Sequence, residues 1–158
     1  MYGTIGRLGI VVAVAVAVAV AVAGAGGAPA RAAVDPYSPQ SLCGLGYVPV
    51  DQDPIHDARS GALLGTVHLL YHPMTGYGCA VTLKSGYVGT PTRTQVYLTA
   101  PYLPTQVDDG PRRYVAGPVR AYLRGNCTIW GGLTADPDGT VHHHDRANPA
   151  IGGIGTCF

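Results

Sequence analysis

Hydrophobic and polar positions fall into two unlike patterns along the chain. Ile10 to Ala23 is an unbroken fourteen-residue apolar run of Val and Ala behind a single Ile. Before it, Met1 to Gly9 carries one positive charge, Arg7; after it, Gly24 to Ala32 is small and flexible. This three-part layout predicts a secretory signal peptide over residues 1–32. Ala30-Arg31-Ala32 supplies small residues at −3 and −1, which places the predicted cleavage after Ala32; Pro29 makes Ala28-Pro29-Ala30 the poorer site. Leu8 to Ala28 is also long enough for a retained anchor, the competing reading. The Val/Ala alternation has the period of a strand, but a lone segment in a bilayer must satisfy its own backbone bonds, so the leader is expected to be helical.

Beyond residue 32 the pattern has a period of two. Gly65 to Tyr71 alternates, with Val67, Leu69 and Tyr71 on one face and Thr66, His68 and Leu70 on the other. Cys79 to Leu83 repeats this, with Cys79, Val81 and Leu83 expected inward, and the breaker-rich stretch His72 to Gly78 predicts a hairpin turn between the two. Gln95 to Thr99, Val115 to Leu123 and Cys127 to Trp130 read as further strands. Thr140 to His144 reads as another, introduced by the turn Asp136-Pro137-Asp138-Gly139. Gly117-Pro118 inside a strand predicts an edge or a bulge, because proline cannot donate to a ladder. Trp130 before Gly131-Gly132 suggests a ring packed beside a turn with positive φ. Pro36, Pro39, Pro49 and Pro54 predict an irregular lead-in, and no window carries a capped helical stripe. Six or seven short strands make an all-β fold, a small single-domain antiparallel sandwich or barrel over residues 33–158.

Composition narrows the function classes. Only 12% of residues are charged, there is no Glu, and Lys84 is the single Lys, whereas Gly (23) and Pro (13) are abundant. Removing Arg7 and Arg31 with the leader leaves eight Arg and Lys against nine Asp, a formal charge of −1 with neutral His. That lacks the basic footprint of a nucleic-acid binder, so no nucleic-acid partner is expected, and membrane contact is expected only through the leader during export. Cys43, Cys79, Cys127 and Cys157 all follow the leader, and an even count in an exported chain predicts two disulfides. Of the three possible pairings, Cys43–Cys79 with Cys127–Cys157 is favoured, each loop contributing ~3.5–4 kcal/mol in the chain-entropy model. No C-x-x-C pair proposes zinc, and no Cys stands close behind the apolar run to carry a lipid.

Candidate chemistry is sparse. His142 and His144 share a strand face and, with Asp145 or His72, are candidate zinc or copper ligands. The plain alternative is an exposed polar loop, and with no H-E-x-x-H motif no metal or cofactor is expected. Ser38, Ser41, Ser60 and Ser85 lie in neither G-x-S-x-G nor S-x-x-K. Asp51, Asp53 and Asp57, like Asp108 and Asp109, sit among Pro and Gly, where turn duty explains them. A His/Arg nuclease would draw on His68 or His72 and Arg113 or Arg120. Arg120, Tyr122 and Arg124 fall on one face of a strand whose other face, Val119, Ala121 and Leu123, is apolar; such a stripe either faces solvent or holds a polyanion.

Gly65-Thr66-Val67-His68-Leu69-Leu70-Tyr71, Gly76-Tyr77-Gly78-Cys79-Ala80-Val81-Thr82, Tyr114-Val115-Ala116-Gly117-Pro118-Val119, Cys127-Thr128-Ile129-Trp130-Gly131-Gly132 and a closing Cys157 together resemble the spore-associated protein A family of exported actinobacterial proteins. The resemblance runs from about Cys43 to Cys157; A-G-P-V and C-x-x-W-G-G carry most of it. It departs in the longer Pro49 to Leu63 segment and in the triple His. The resemblance implies a small secreted protein found with spores or in the medium, and it supplies no catalytic residues. The expectation is therefore a secreted, non-catalytic protein of the spore or cell surface, its partner a wall or spore-surface polymer, with oligomeric state left open. A binding module or enzyme inhibitor acting through His72 to Gly78 or Pro101 to Pro111 is the alternative, and a small secreted hydrolase or nuclease the third. A pocket holding a His and an Asp in contact favours the third; a flat Tyr-rich patch favours the first two. Protonating six His would carry the charge from −1 to about +5, so attachment to anionic surfaces is expected to strengthen from pH 7 to pH 5.

Overall fold

A computed structural model describes residues 37–158. The predicted leader and its cleavage site lie outside the described residues. Two antiparallel sheets face one another, as expected of the alternating pattern. The first has the order β1 (Val48–His56), β2 (Leu63–His72), β3 (Tyr77–Lys84), β6 (Val115–Tyr122). The second has the order β5 (Gln106–Arg112), β4 (Thr92–Thr99), β7 (Cys127–Ala135), β8 (Val141–His143), with β9 (Ile154–Cys157) also paired to β7. A five-residue helix, α1 (Pro39–Cys43), precedes them, capped by the Ser38 hydroxyl, which accepts from the Ser41 N–H. Among the described residues no helix is long and apolar enough to cross a membrane.

The sheets bury Ile55, Val67, Leu69, Ala80, Val96, Leu98, Val119 and Trp130 between them. Val67 and Leu69 point inward as their alternation predicts. In β3 the faces are exchanged. Ala80 faces the inter-sheet core, and the Thr82 hydroxyl crosses it to donate to the Gln95 carbonyl at 2.9 Å, whereas Cys79 and Val81 are buried on the outer face with Leu70, beneath α1. The cause is the Cys43–Cys79 bridge, which ties α1 over that face and makes both sides of β2 and β3 interior. The second bridge, Cys127–Cys157, joins residues directly opposed in β7 and β9, so both pairings are those the loop lengths favoured.

Two strands lie where an irregular chain was expected. β1 runs through Pro49 and Pro54, and β5 contains Gly110 and Pro111. Both are edge strands, where a proline costs no ladder bond on the outer side. β6 is an edge as well, and its register against β3 slips between Ala80 and Thr82, opposite the cis Gly117–Pro118 bond, so the edge and the bulge occur together. Gly131 and Gly132 are not in a turn; β7 continues through them to Ala135. They are glycines because the layers meet there. A Cβ on Gly132 would stand 2.5 Å from the Gln95 carbonyl oxygen, and one on Gly131 would stand 2.3 Å from His144 Nε2. Gly132→Ala is thus expected to cost about 1–3 kcal/mol in urea unfolding, because a paired strand carbonyl cannot retreat. Gly155→Ala, whose Cβ would meet nothing nearer than 3.7 Å, is the control and should change little.

Candidate functional site

The triple histidine closes the open side of the sandwich. His142 and His144 do share a face, and that face is buried rather than looped into solvent, while His143 points out. Each of the proposed metal ligands is held by a different partner. His142 Nε2 lies 2.6 Å from Asp136 Oδ1, His144 Nδ1 2.9 Å from Asp53 Oδ2, and Asp145 Oδ2 2.5 Å from His56 Nδ1. Among the described residues no three His, Cys or Asp side chains stand together where a metal ion would need them.

Asp53 is the hub. β1 brings its carboxylate inside, 2% exposed, where it accepts from His144 Nδ1, from the Arg146 backbone N–H (2.7 Å) and from Arg146 Nε (2.7 Å). The outer end of the Arg146 guanidinium forks onto Asp51, two residues along the same strand face, and donates to the Gln52 carbonyl. Burial works to raise the Asp53 pKa; the Arg146 side-chain and backbone hydrogen bonds and the one from His144 outweigh it and hold the carboxyl below the ordinary value. Next to it, the Asp145 N–H donates to the Pro54 carbonyl, and Asp145 Oδ1 accepts from the His56 N–H. The strand-to-loop segment 142–146 is thereby fastened to β1.

On its far side His144 Nε2 lies 3.4 Å from Tyr97 Oη, the outer limit of a hydrogen bond, and Tyr97 Oη donates to the Gly152 carbonyl. Burial raises the Tyr97 pKa, which favours the neutral phenol. A cavity of about 320 Å³ opens beside Tyr97, lined by His143, Ala147, Asn148 and Pro149. His142 and His144, in contact with Asp136 and Asp53, are thus buried, His144 behind Tyr97; the His56–Asp145 pair is partly exposed, and His143 lines the cavity. Asp53, Arg146, Tyr97 and Asp136 were not read as site residues. The available signal was the i, i+2 spacing of Asp51 and Asp53 in a strand, hidden by Pro49 and Pro54.

The remaining charged candidates are built into the frame. Asp57 does serve a turn, accepting from the Arg59 N–H and the Ser60 hydroxyl. Asp108 and Asp109 do not; they lie on β5, where Asp109 takes a bidentate fork from Arg93 and Asp108 pairs with Arg112 and accepts from the Gly117 N–H. Lys84 donates to the Thr90 and Arg112 carbonyls and the Thr92 hydroxyl, and burial lowers its pKa. His68 lines a groove of about 460 Å³ with Pro39, Val50 and Gln52, and burial depresses its pKa. His72 packs edge-on to Tyr47, over which the Arg120 guanidinium lies at 5.9 Å, and Arg113 donates to the Gly89 carbonyl.

Arg120, Tyr122 and Arg124 all project outward from the β6 edge and its continuation, as the alternation predicts. Tyr122 is opposite Tyr77 of β3, with ring centroids 5.7 Å apart and the two rings 42% and 46% exposed. Arg120 donates from one terminal nitrogen to the Leu42 and Cys43 carbonyls, closing the end of α1; Arg124 donates likewise to the Pro73 and Met74 carbonyls of the β2–β3 turn. Each guanidinium thus has five N–H groups, of which only those on one nitrogen are engaged.

No family model matches the chain, and no solved structure matches it. Against curated proteins, it is 39% identical over 93 residues to Spore-associated protein A of Streptomyces coelicolor. Over that stretch the chain is similar to Spore-associated protein A. The matched stretch covers 58% of this chain and 56% of Spore-associated protein A, little more than half the length of that relative. The motif resemblance is thereby carried by an alignment.

Proposed function

We propose that this is an exported, non-catalytic protein of the spore or cell surface that attaches to an anionic wall glycopolymer through the outer edge of β3 and β6. The observation that carries this reading is the pair of half-exposed rings, Tyr77 of β3 and Tyr122 of the edge strand β6, set edge to face across the two strands with Arg124 close by. Tyrosine faces stack on sugar rings, and a guanidinium positioned by backbone carbonyls keeps free donors for phosphate or carboxylate. The name of the related protein supports the spore setting. The burial of the His142–Asp136 and His144–Asp53 pairs supports the absence of catalysis at those two histidines, since a base that reaches no substrate moves no proton.

The test is co-sedimentation with purified cell walls and spores. Tyr77→Ala/Tyr122→Ala is expected to reduce retention at least tenfold, and about 1 M salt to release the wild type. Retention should strengthen from pH 7 to pH 5; burial holds His68 below the ordinary imidazole value. Full retention by the double variant at low salt would overturn the reading.

A further inference from the structure

β2 sets an imidazole on the outer face of the first sheet that the frame of the domain does not use. His68 stands two residues before Leu70, so it shares the face on which α1 sits, and it lies directly opposite Gln52 of β1. The His68 ring, Gln52 and Gln40 of α1 all line the groove of about 460 Å³ between β1, β2 and α1. Among the described residues none of these three side chains has a hydrogen-bond partner. His56, His142 and His144, by contrast, are each taken up by an aspartate. Burial lowers the His68 pKa, which favours the neutral ring; like a carboxamide, it then offers both a donor and an acceptor.

The lining selects among ligand classes. An anion would meet the Asp51 carboxylate there and no Arg or Lys. A cation would find that carboxylate already forked by Arg146. A peptide adding as a strand to β1 is opposed by Pro49, Pro54 and the register slip between Pro49 and Asp51. The groove instead suits a neutral ligand with hydroxyls for the three donor–acceptor groups and a C–H face for the apolar wall of Pro39, Pro49 and Val50. A pyranose ring has both. We infer that this groove is a binding site for a neutral sugar, one or two pyranose rings long, hydrogen-bonded by Gln40, Gln52 and His68. Its volume lies in the range of small-molecule sites, and its openness to solvent on one side makes the affinity weak, with Kd of about 1–10 mM. The strand order puts the groove at the β1–β2 end of the sheet and the Tyr77–Tyr122 pair at the β3–β6 end, so the inference does not rest on the wall-attachment reading.

The test is a nitrogen-15 NMR titration of the purified protein with the methyl glycosides of glucose, galactose and mannose and with N-acetylglucosamine, each to about 100 mM. At least one should shift the Gln40 and Gln52 side-chain amides, the His68 ring and the backbone amides of residues 50–52 and 68–70, saturably. Gln52→Ala, at an exposed position whose side chain has no partner to lose, should weaken that binding about fivefold or more, and His68→Leu, which removes donor and acceptor while keeping an apolar body, should abolish it. Tyr77→Ala/Tyr122→Ala should bind the sugar as the wild type does, whatever its retention on walls. No saturable shift with any of the four sugars overturns the inference, as do shifts confined to other parts of the domain or undiminished binding by both groove variants. Inorganic phosphate or trialanine shifting the groove residues where the sugars do not would overturn the assigned ligand class.

Discussion

Replacing Asp53 with alanine is expected to lower the unfolding free energy by about 3 kcal/mol or more at pH 7, measured by urea denaturation. The loss is concentrated at the buried end of the cluster, where the His144 ring and the Arg146 N–H would be left without an acceptor. The Arg146–Asp51 fork is half-exposed and contributes little. The same carboxylate sets an acid limit. Its folded-state pKa lies below the unfolded value, so the folded chain binds fewer protons there; the stabilisation is present above roughly pH 5 and is lost as the pH falls through and below about 4. Asp53→Asn should flatten that part of the stability curve. The sign also separates a clasp from chemistry. A dyad retained for catalysis commonly leaves the fold unharmed or steadier when removed. A neutral or stabilised Asp53→Ala variant would reverse the present reading.

How far the chain can be read without coordinates depends on whether a strand has two unlike faces. β6 does at its C-terminal end, and its alternation gives the buried Val119, Ala121 and Leu123 and the outward Arg120, Tyr122 and Arg124 one by one. β5 does not: both faces of Gln106–Arg112 are partly wet, and its Asp108 and Asp109 look like turn residues until Arg112 of the same strand and Arg93 of β4 are placed beside them. β1 was hidden by Pro49 and Pro54, whose cost vanishes only at a sheet edge, and edge position is a property of topology. The clasp was out of reach for a related reason. Asp53 and His144 are 91 residues apart, and their meeting depends on β1 being a strand at all. β3 shows a different limit: its pattern identifies which residues are buried but not which layer covers them, because the five-residue helix above Cys79 and Val81 has no sequence period of its own.

That helix makes the Cys43–Cys79 bridge decisive. Cys43→Ala/Cys79→Ala is expected to reduce the unfolding free energy by about 4 kcal/mol in the chain-entropy model, for a loop of sequence separation 36. For a domain whose whole stability is on the order of 5–15 kcal/mol, that is a large share. The loss should also be local. A five-residue helix is far below the ~12–15 residues that stand alone in water, so without the covalent tie α1 depends on weak contacts such as the packing of Leu42 and the Arg120 bonds to stay on the sheet. Leu70 and Val81 would then face solvent, and the variant should bind a hydrophobic dye and be cut by protease between residues 43 and 48 while β4 and β7 stay protected from hydrogen exchange. Cys127→Ala/Cys157→Ala removes a loop of similar length, but the bridged residues are already opposed in a ladder and Trp130 Nε1 still donates to Thr156 at 2.9 Å, so the cut site and dye binding should be absent there. Releasing α1 also frees the Arg120 guanidinium from the Leu42 and Cys43 carbonyls. Wall retention per folded molecule should therefore be undiminished in the first variant, and a loss of retention there would mean that α1 itself, rather than the β3–β6 edge, meets the polymer.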